Sequence, residues 1–498
     1  MKRLTSLLII ALTAATATMA ATVERPRLVV GIVVDQMRWD YLYYYRPLVG
    51  DNGLNRLLDQ GFSVEDTKIN YTPTVTAIGH ASVYTGSVPA FHGILGNDFY
   101  IGNRETYCCG DSTVSGVGST GKAGQMSPRN LQASTIGDEL HLATDFKSKV
   151  VGIALKDRAA ILPAGHSADA AYWYDKNAKA FITSSFYMKE LPQWVSDFNN
   201  AHRNDIDGSP LLSPKGVKLT FQMAEAALKN MELGQHDVTD MLAISISSTD
   251  AIAHDYGLRD PLTKESYMEL DRQIEAFLNI LDNTVGKGEY LLFLTADHGG
   301  AFNYNDLASH RIPAGAWQSW SDRKRLNDHL RQRFPEAGDR DLMLGENMGR
   351  IYLNHDNIAA AGLELSTVKQ EMMDFLLKDE RFQHVVDYKH VADATLPQPL
   401  REQICNGYHP MRSGDIFVVP RPQVVITFDS PTFRGTSHGL WNPYDAHIPF
   451  LLYGWHIPHG ATTKPAAITD IAATICSLLH IQAPNACIGK AVEITPDK

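Results

Sequence analysis

The chain has 498 residues, is 44% hydrophobic and carries a formal charge of -11 with its 19 histidines neutral. That is ample apolar material for a packed core, with no compositional sign of disorder. The negative balance excludes a nucleic-acid groove, so positive charge for any anionic substrate must come locally, from metal ions or a few placed Lys and Arg.

The N-terminus reads as a signal peptide over residues 1–21: Lys2 and Arg3, an apolar run from Leu7 to Leu12, then small residues from Ala14 to Ala21. This predicts a periplasmic or secreted protein, with 22–498 as one catalytic domain. No later apolar run is long enough to span a bilayer, so stable membrane insertion is not expected. Leu28 to Val34 is the first apolar strand, and Asp35 ends it. Pro73 closes an extended entry, and the spacing of Ile78, Ala81, Ser82 and Thr85 fits a helix that begins at Thr76. Val150 to Leu155 is a second strand, followed by Lys156, Asp157 and Arg158. A helix is predicted over Val217 to Leu233. The strand Met241 to Ile246 leads to Asp250 and His254. Another helix covers Leu262 to Thr284, and the strand Tyr290 to Thr295 runs into Asp297 and His298. His438 sits in the Gly-flanked loop Thr436 to Gly439. The strand Ile448 to Tyr453 and a helix over Ala466 to Leu479 close the chain.

These strands are near-continuous apolar runs, as expected when both faces are covered. Their alternation with helices predicts an α/β fold: a mainly parallel central sheet with helices on both faces. Two segments, about 159–216 and about 300–434, break the alternation and are expected to be insertions that build a cap beside the active site. The second carries a helical pattern over Leu365 to Leu377 and strand-like pieces at Phe417 to Val419 and Val424 to Phe428. Of the five cysteines, Cys108, Cys109, Cys405, Cys476 and Cys487, the pair Cys476 and Cys487 is a plausible bridge; pairing is not fixed by sequence. No Cys-x-x-Cys occurs, which argues against thiolate-bound zinc.

In an open parallel sheet, ligands gather at the carboxyl ends of the strands. Here four strands deliver charged or ligating groups to that edge. Asp250 and His254 are four apart and would share one face of a helix. Asp35, Asp250, Asp297, His254, His298 and His438 together suit two Zn²⁺ ions. Two metals a few Å apart can clamp the attacking and leaving oxygens of a phosphoryl transfer. Thr76, at a helix N-terminus, has a hydroxyl placed where backbone N–H groups favour an oxyanion. Read alone, it is more readily a capping residue. A second Asp-His pair, Asp328-His329, lies in the charged stretch SDRKRLNDHLRQR and reads as solvated surface.

The order Asp35, Thr76, Asn97, Lys156-x-Arg158, Asp250-x-x-x-His254, Asp297-His298 and His438 resembles the threonine-nucleophile, phosphate-irrepressible bacterial phosphatases of the alkaline phosphatase superfamily. The segment NYTPTVTAIGHASVYTGSVPAFHGILGN is especially similar to their nucleophile region. The resemblance covers essentially the whole mature chain. It implies that Asp250, His254 and His438 hold one zinc on the leaving-group side. Asp35, Thr76, Asp297 and His298 would hold the other, beside the nucleophile. It also implies that Asn97, Lys156 and Arg158 bind phosphoryl oxygens and that Thr76 becomes a phosphothreonine. The expected substrates are small phosphorylated metabolites. The related nucleotide pyrophosphatases and phosphodiesterases have the same zinc ligands but lack the Lys-x-Arg pair, so its presence favours monoesters. A phosphodiesterase of the same superfamily and a non-catalytic metal-binding surface protein are the rival readings. A sulfatase is disfavoured, because no Cys/Ser-x-Pro-x-Arg pattern occurs.

Overall fold

The computed structural model describes residues 23–205 and 208–495, so the signal peptide expected over 1–21 lies outside the described residues. Its central sheet contains β1 (Leu28–Val34), β2 (Phe62–Val64), β3 (Gly116–Val117), β4 (Val150–Ala154), β5 (Ala170–Asp175), β6 (Ala180–Ser184), β7 (Asp240–Ile246), β8 (Tyr290–Thr295), β9 (Phe450–Gly454) and β10 (Gly460–Thr462). The spatial order is β10-β2-β9-β8-β1-β7-β4-β5-β6-β3. β9 and β6 run antiparallel to their neighbours, and the other pairings are parallel. A strand covered on both faces reads alike in either direction, which is why the apolar run at β9 gave no sign of its reversal.

β1, β7 and β8 are buried at every residue, so both faces of the sheet are covered. Their register is what assembles the site. Val33 pairs with Ser245 on one side and Thr295 on the other, so the residues that follow these three strands emerge side by side at one edge. The helices that matter are α1 (Thr76–Thr85), α2 (Asp157–Ala164), α3 (Pro214–Asn230), α4 (Ser248–Tyr256) and α5 (Pro261–Leu281). α3 and α5 start at Pro214 and Pro261, ahead of the expected Val217 and Leu262, for a local reason: each has Pro in its first turn, and Ser213 and Asp260 cap them by accepting from the Lys215 and Leu262 amides. α1 is buried along its whole length and ends at Gly86, whose φ of +62° suits glycine. Gly31 of β1 lets α1 approach the sheet: a Cβ there would overlap the Tyr84 hydroxyl and the Phe293 ring.

The segment 159–216, expected as an inserted cap, instead extends the central sheet. β5 and β6 add beyond β4, and Gln193–His202 forms a helix beside β6. The apolar alternation that marks a half-exposed strand is missing, because β6 is buried at every residue and β5 at all but one. The segment 300–434 does build a separate layer. Its strands Met343–Asn347, Arg350–Leu353, Ile416–Pro420 and Phe382–Asp387 lie in that spatial order in an antiparallel sheet. They pack, with the helix Leu365–Leu376, on apolar clusters of their own around Trp317, Leu326, Met372 and Ile416.

Two smaller expectations change. Residues Ala466–Ala467 pair with Thr67–Lys68 as strand, so the last helix covers only Asp470–Leu478. All five cysteines are free thiols. Cys476 is buried in that helix, whereas the Cys487 sulfur packs against Gly86.

Candidate active site

The residues scattered from 35 to 438 meet at the carboxyl edge of the sheet. α4 carries Asp250 and His254 one turn apart, and His254 Nε2 lies 3.1 Å from Asp250 Oδ1. His438 Nε2 is 3.7 Å from the same oxygen. Asp35 Oδ1 and Asp297 Oδ2 are each 3.5 Å from His298 Nε2. The His298 and His438 rings stack with centroids 3.6 Å apart. Two sets have their donor atoms within 4.8 Å of one another: Asp250, His254 and His438, and Asp35, Asp250 and His298. Asp250 therefore belongs to both sets, and Asp297 stands beside the second.

The chemistry of these atoms fits metal ions. Among the described residues, Asp35 Oδ1, Asp297 Oδ2 and His298 Nε2 are buried and have no hydrogen-bond partner. Polar atoms left unpaired in a dry interior are costly unless a cation completes them. Burial, then the neighbouring Asp250 and Asp297 carboxylates, push the Asp35 carboxyl well above its ordinary range. Asp250 and Asp297 go the other way: burial opposes it, but nearby imidazoles and Lys156 hold both carboxyls low. Burial keeps His298 and His438 below the usual imidazole range, as neutral ligands require.

Thr76 is the first residue of α1 and is 1% exposed, with Val75 rather than Thr76 at the cap position. Two contacts fix it beside the ligands. Gly79, in the same first turn, lies so close to the Asp297 backbone that a Cβ would overlap it. The Thr74 carbonyl, two residues before Thr76, lies 2.8 Å from His438 Nδ1. Asn97 accepts a hydrogen bond from the Ala77 amide through Oδ1 at 3.2 Å, which holds it against the start of α1.

Lys156 and Arg158 take different positions. Lys156 Nζ sits between the two ligand sets, 2.5 Å from Asp35 Oδ2 and 2.6 Å from Asp250 Oδ2. Three carboxylates buried together need compensating positive charge, and Lys156 supplies part of it. Arg158 is held from the other side: its Nη1 donates to the Tyr107 hydroxyl at 3.1 Å, and that hydroxyl donates to Asp157 Oδ1. Among the described residues Arg158 Nε has no hydrogen-bond partner.

Gln36 and Tyr107 have no sequence signal beyond adjacency to Asp35 and a position in an aperiodic stretch. Gln36 joins the two ligand sets: its side chain donates to Asp250 Oδ1 at 2.7 Å and its backbone amide to Asp297 Oδ1 at 3.2 Å. Its φ is +65°, a left-handed conformation that glycine adopts freely. Gln36→Gly thus deletes the side-chain bond to Asp250, keeps the backbone bond to Asp297 and adds no backbone strain, and is expected to weaken metal retention about 10–100-fold. The readout is the chelator concentration that removes half the metal; unchanged retention would show that the ligands need no such bond.

Other histidines stand behind or away from the site. His80 sets its ring nitrogens on the Thr76 carbonyl and the Ser245 hydroxyl, at 2.9 and 2.7 Å, and its Nδ1 is also 3.3 Å from Asp297 Oδ2. His92 bonds Ser82, and His447 bonds the Glu65 carbonyl and stacks on Trp39. Asp328-His329 lies on a charged helix, where Asp328 pairs with Lys324 and Arg331 and His329 with Glu371.

Carboxylates and imidazoles converging from several strand ends onto the first turn of a buried helix form a candidate metal centre on an α/β sheet edge. The sequence profile of the type I phosphodiesterase / nucleotide pyrophosphatase family matches residues 29–441. The chain is 39% identical over 523 residues to alkaline phosphatase PafA of Elizabethkingia meningoseptica, covering 94% of each chain. It is 39% identical over 531 residues to alkaline phosphatase PhoV of Synechococcus elongatus, covering 95% of this chain and 93% of that one. A Myroides odoratus protein named calcium-transporting ATPase is 42% identical over 523 residues, with 94% of each covered. The crystal structure of wild-type PafA matches with a TM-score of 0.90 at 39% identity, covering 95% of this chain and 99% of that one. The chain belongs to the type I phosphodiesterase / nucleotide pyrophosphatase family, within the alkaline phosphatase superfamily. Among the described residues no helix is long and apolar enough to cross a membrane.

Proposed function

We propose that this chain is an alkaline phosphatase that hydrolyses phosphate monoesters of small metabolites with two zinc ions, through a phosphothreonine at Thr76. The observation that carries this reading is the pair of carboxylate–imidazole sets, sharing Asp250, packed against the first turn of α1. Three imidazoles and three carboxylates without thiolate suit Zn²⁺. Asp250, His254 and His438 would hold one ion, and Asp35, Asp297 and His298 the other with Thr76. Bound there, the ions supply positive charge for the phosphoryl oxygens and favour the alkoxide form of the threonine hydroxyl.

The chain's own groups do the rest. The Thr76 hydroxyl gives up its proton to water, its Oγ attacks phosphorus as the bond to the leaving oxygen breaks, and the leaving alkoxide departs on the opposite side and takes up a proton from water. Water then attacks the phosphothreonine, which releases inorganic phosphate and returns the hydroxyl to Thr76. The Asn97 carbonyl is tied to Ala77, so its NH₂ is the part available to donate to a phosphoryl oxygen. Lys156 and Arg158 bring the charge that a monoester dianion needs and a diester lacks use for. Export to the periplasm or beyond is supported by the residue pattern over 1–21.

The test is turnover of a chromogenic phosphate monoester and the matching diester, with metal analysis of the purified protein. The expected result is two zinc ions per chain, faster monoester turnover, and a loss of about 10³-fold or more on chelation that zinc restores. Faster diester turnover would make the protein a phosphodiesterase, and no turnover by zinc-loaded protein would make the site a binding site.

A further inference from the structure

We propose that Arg350, on the inserted sheet, is a positioning residue for the phosphoryl site: it holds the two backbone segments that carry Asn97 and Thr76 in their relative places. This rests on the phosphoryl-binding role proposed for Asn97. Arg350 opens the strand Arg350–Leu353 and is 0% exposed. A guanidinium so buried ordinarily pairs with a carboxylate. Among the described residues Arg350 has no such pair: Nη1 donates to the Leu95 carbonyl and Nη2 to the Gly407 carbonyl at 3.3 Å, Nε has no partner, and Glu346 and the Tyr388 hydroxyl lie near enough to feel its charge.

Each carbonyl belongs to a segment that ends at the site. Leu95 is two residues before Asn97. The intervening Gly96 has no space for a side chain, since a Cβ would lie 2.8 Å from the Asp98 carbonyl and 3.2 Å from Asn347 Oδ1. A shift of Leu95 is therefore passed to Asn97 rather than absorbed. Gly407 packs directly on the Thr72 carbonyl, and the Thr72 amide donates to the Gln403 carbonyl at 3.1 Å. From Thr72 the chain runs through Pro73 and Thr74 to Thr76. The Asn97 bond to the Ala77 amide closes the loop between the two segments. A single planar fork thus ties both to a third element, and an ammonium cannot reproduce that span. The same hairpin makes another approach at its tip, where Met348 packs on Gly439, next to His438. The inserted sheet therefore braces the nucleophile segment, the Asn97 segment and the His438 loop together.

The experiment is a double-mutant cycle on the zinc-loaded full chain, using kcat/KM for the monoester, with melting temperature read for each variant. Asn97→Ala is expected to lower kcat/KM about 100-fold. Arg350→Lys is expected to lower it about 10-fold, mostly in kcat, while in the Asn97→Ala background it costs less than about 2-fold, because α1 keeps its own anchor, Gly79 against the Asp297 backbone, and what the fork adds is the place of Asn97 relative to it. If Arg350→Lys melts too low to assay, Arg350→Gln, which leaves no buried charge, carries the same cycle. Additive losses, or wild-type kcat/KM in the Arg350 variant, overturn the inference while leaving Asn97 in its role. Wild-type kcat/KM in Asn97→Ala removes the role of Asn97, and this inference with it.

Discussion

Thr76→Ala is expected to lower monoester turnover about 10⁴-fold or more while leaving the fold intact. The argument is one of position. Thr76 starts a helix whose ten residues are all buried, and among the described residues its hydroxyl has no protein hydrogen-bond partner to lose. Alanine is the stronger helix former, so the stability change is expected to be about 1 kcal/mol or less. A large loss of rate with an unchanged melting curve therefore reports chemistry. Thr76→Ser keeps a hydroxyl at the same place and is expected to retain the covalent route at reduced rate. The direct measurement is acid quench during turnover, followed by mass spectrometry of the peptides. Phosphate is expected on the peptide that contains Thr76 in the parent enzyme and on none in Thr76→Ala. Phosphate on another residue, or an unchanged rate in the alanine variant, would falsify the nucleophile assignment.

How far the sequence could lead is clear from where each residue sits. Asp35 and Asp297 were legible because each directly follows, or nearly follows, a buried apolar strand, and the sheet register alone brings those strand ends together. Asp250 and His254 were legible because a four-residue spacing becomes one turn of α4. The covered-sheet architecture was legible for the same reason, from continuous apolar runs. What was not legible depends on tertiary contacts without a period. The reversal of β9 leaves no mark on its composition. β5 and β6 escaped notice because their runs, AAYWYD and AFITS, include polar residues and lack the continuous apolar character of LVVGIVV or YLLFLT. Gln36 and Tyr107 act through side-chain hydrogen bonds to residues far along the chain, 214 positions in the case of Gln36 with Asp250. The position of Lys156 among the ligands also follows from packing: three buried carboxylates attract the nearest cation, whatever its spacing in the sequence.

That position sharpens the second large prediction. Lys156→Ala with Arg158→Ala is expected to lower monoester kcat/KM about 10³–10⁴-fold, and to lower it about 100-fold more than diester kcat/KM. The two single variants should differ. Among the described residues Arg158 bonds Tyr107 and pairs with Asp157, with no bond to a metal-ligand candidate, so Arg158→Ala isolates the interaction with the phosphoryl dianion and spares the diester. Lys156 compensates Asp35 and Asp250, so Lys156→Ala is expected to slow both substrates and to alter metal retention as well. Tyr107→Phe provides an internal control, since it removes the hydroxyl that orients Arg158 while leaving the guanidinium charge in place; its loss should fall on the monoester and be smaller than that of Arg158→Ala. The measurements are kcat/KM for a matched monoester and diester on each zinc-loaded variant. Equal losses on both substrates from Arg158→Ala would mean that its guanidinium supports the site's structure rather than the third phosphoryl oxygen, and the preference for monoesters would then have to come from elsewhere in the site.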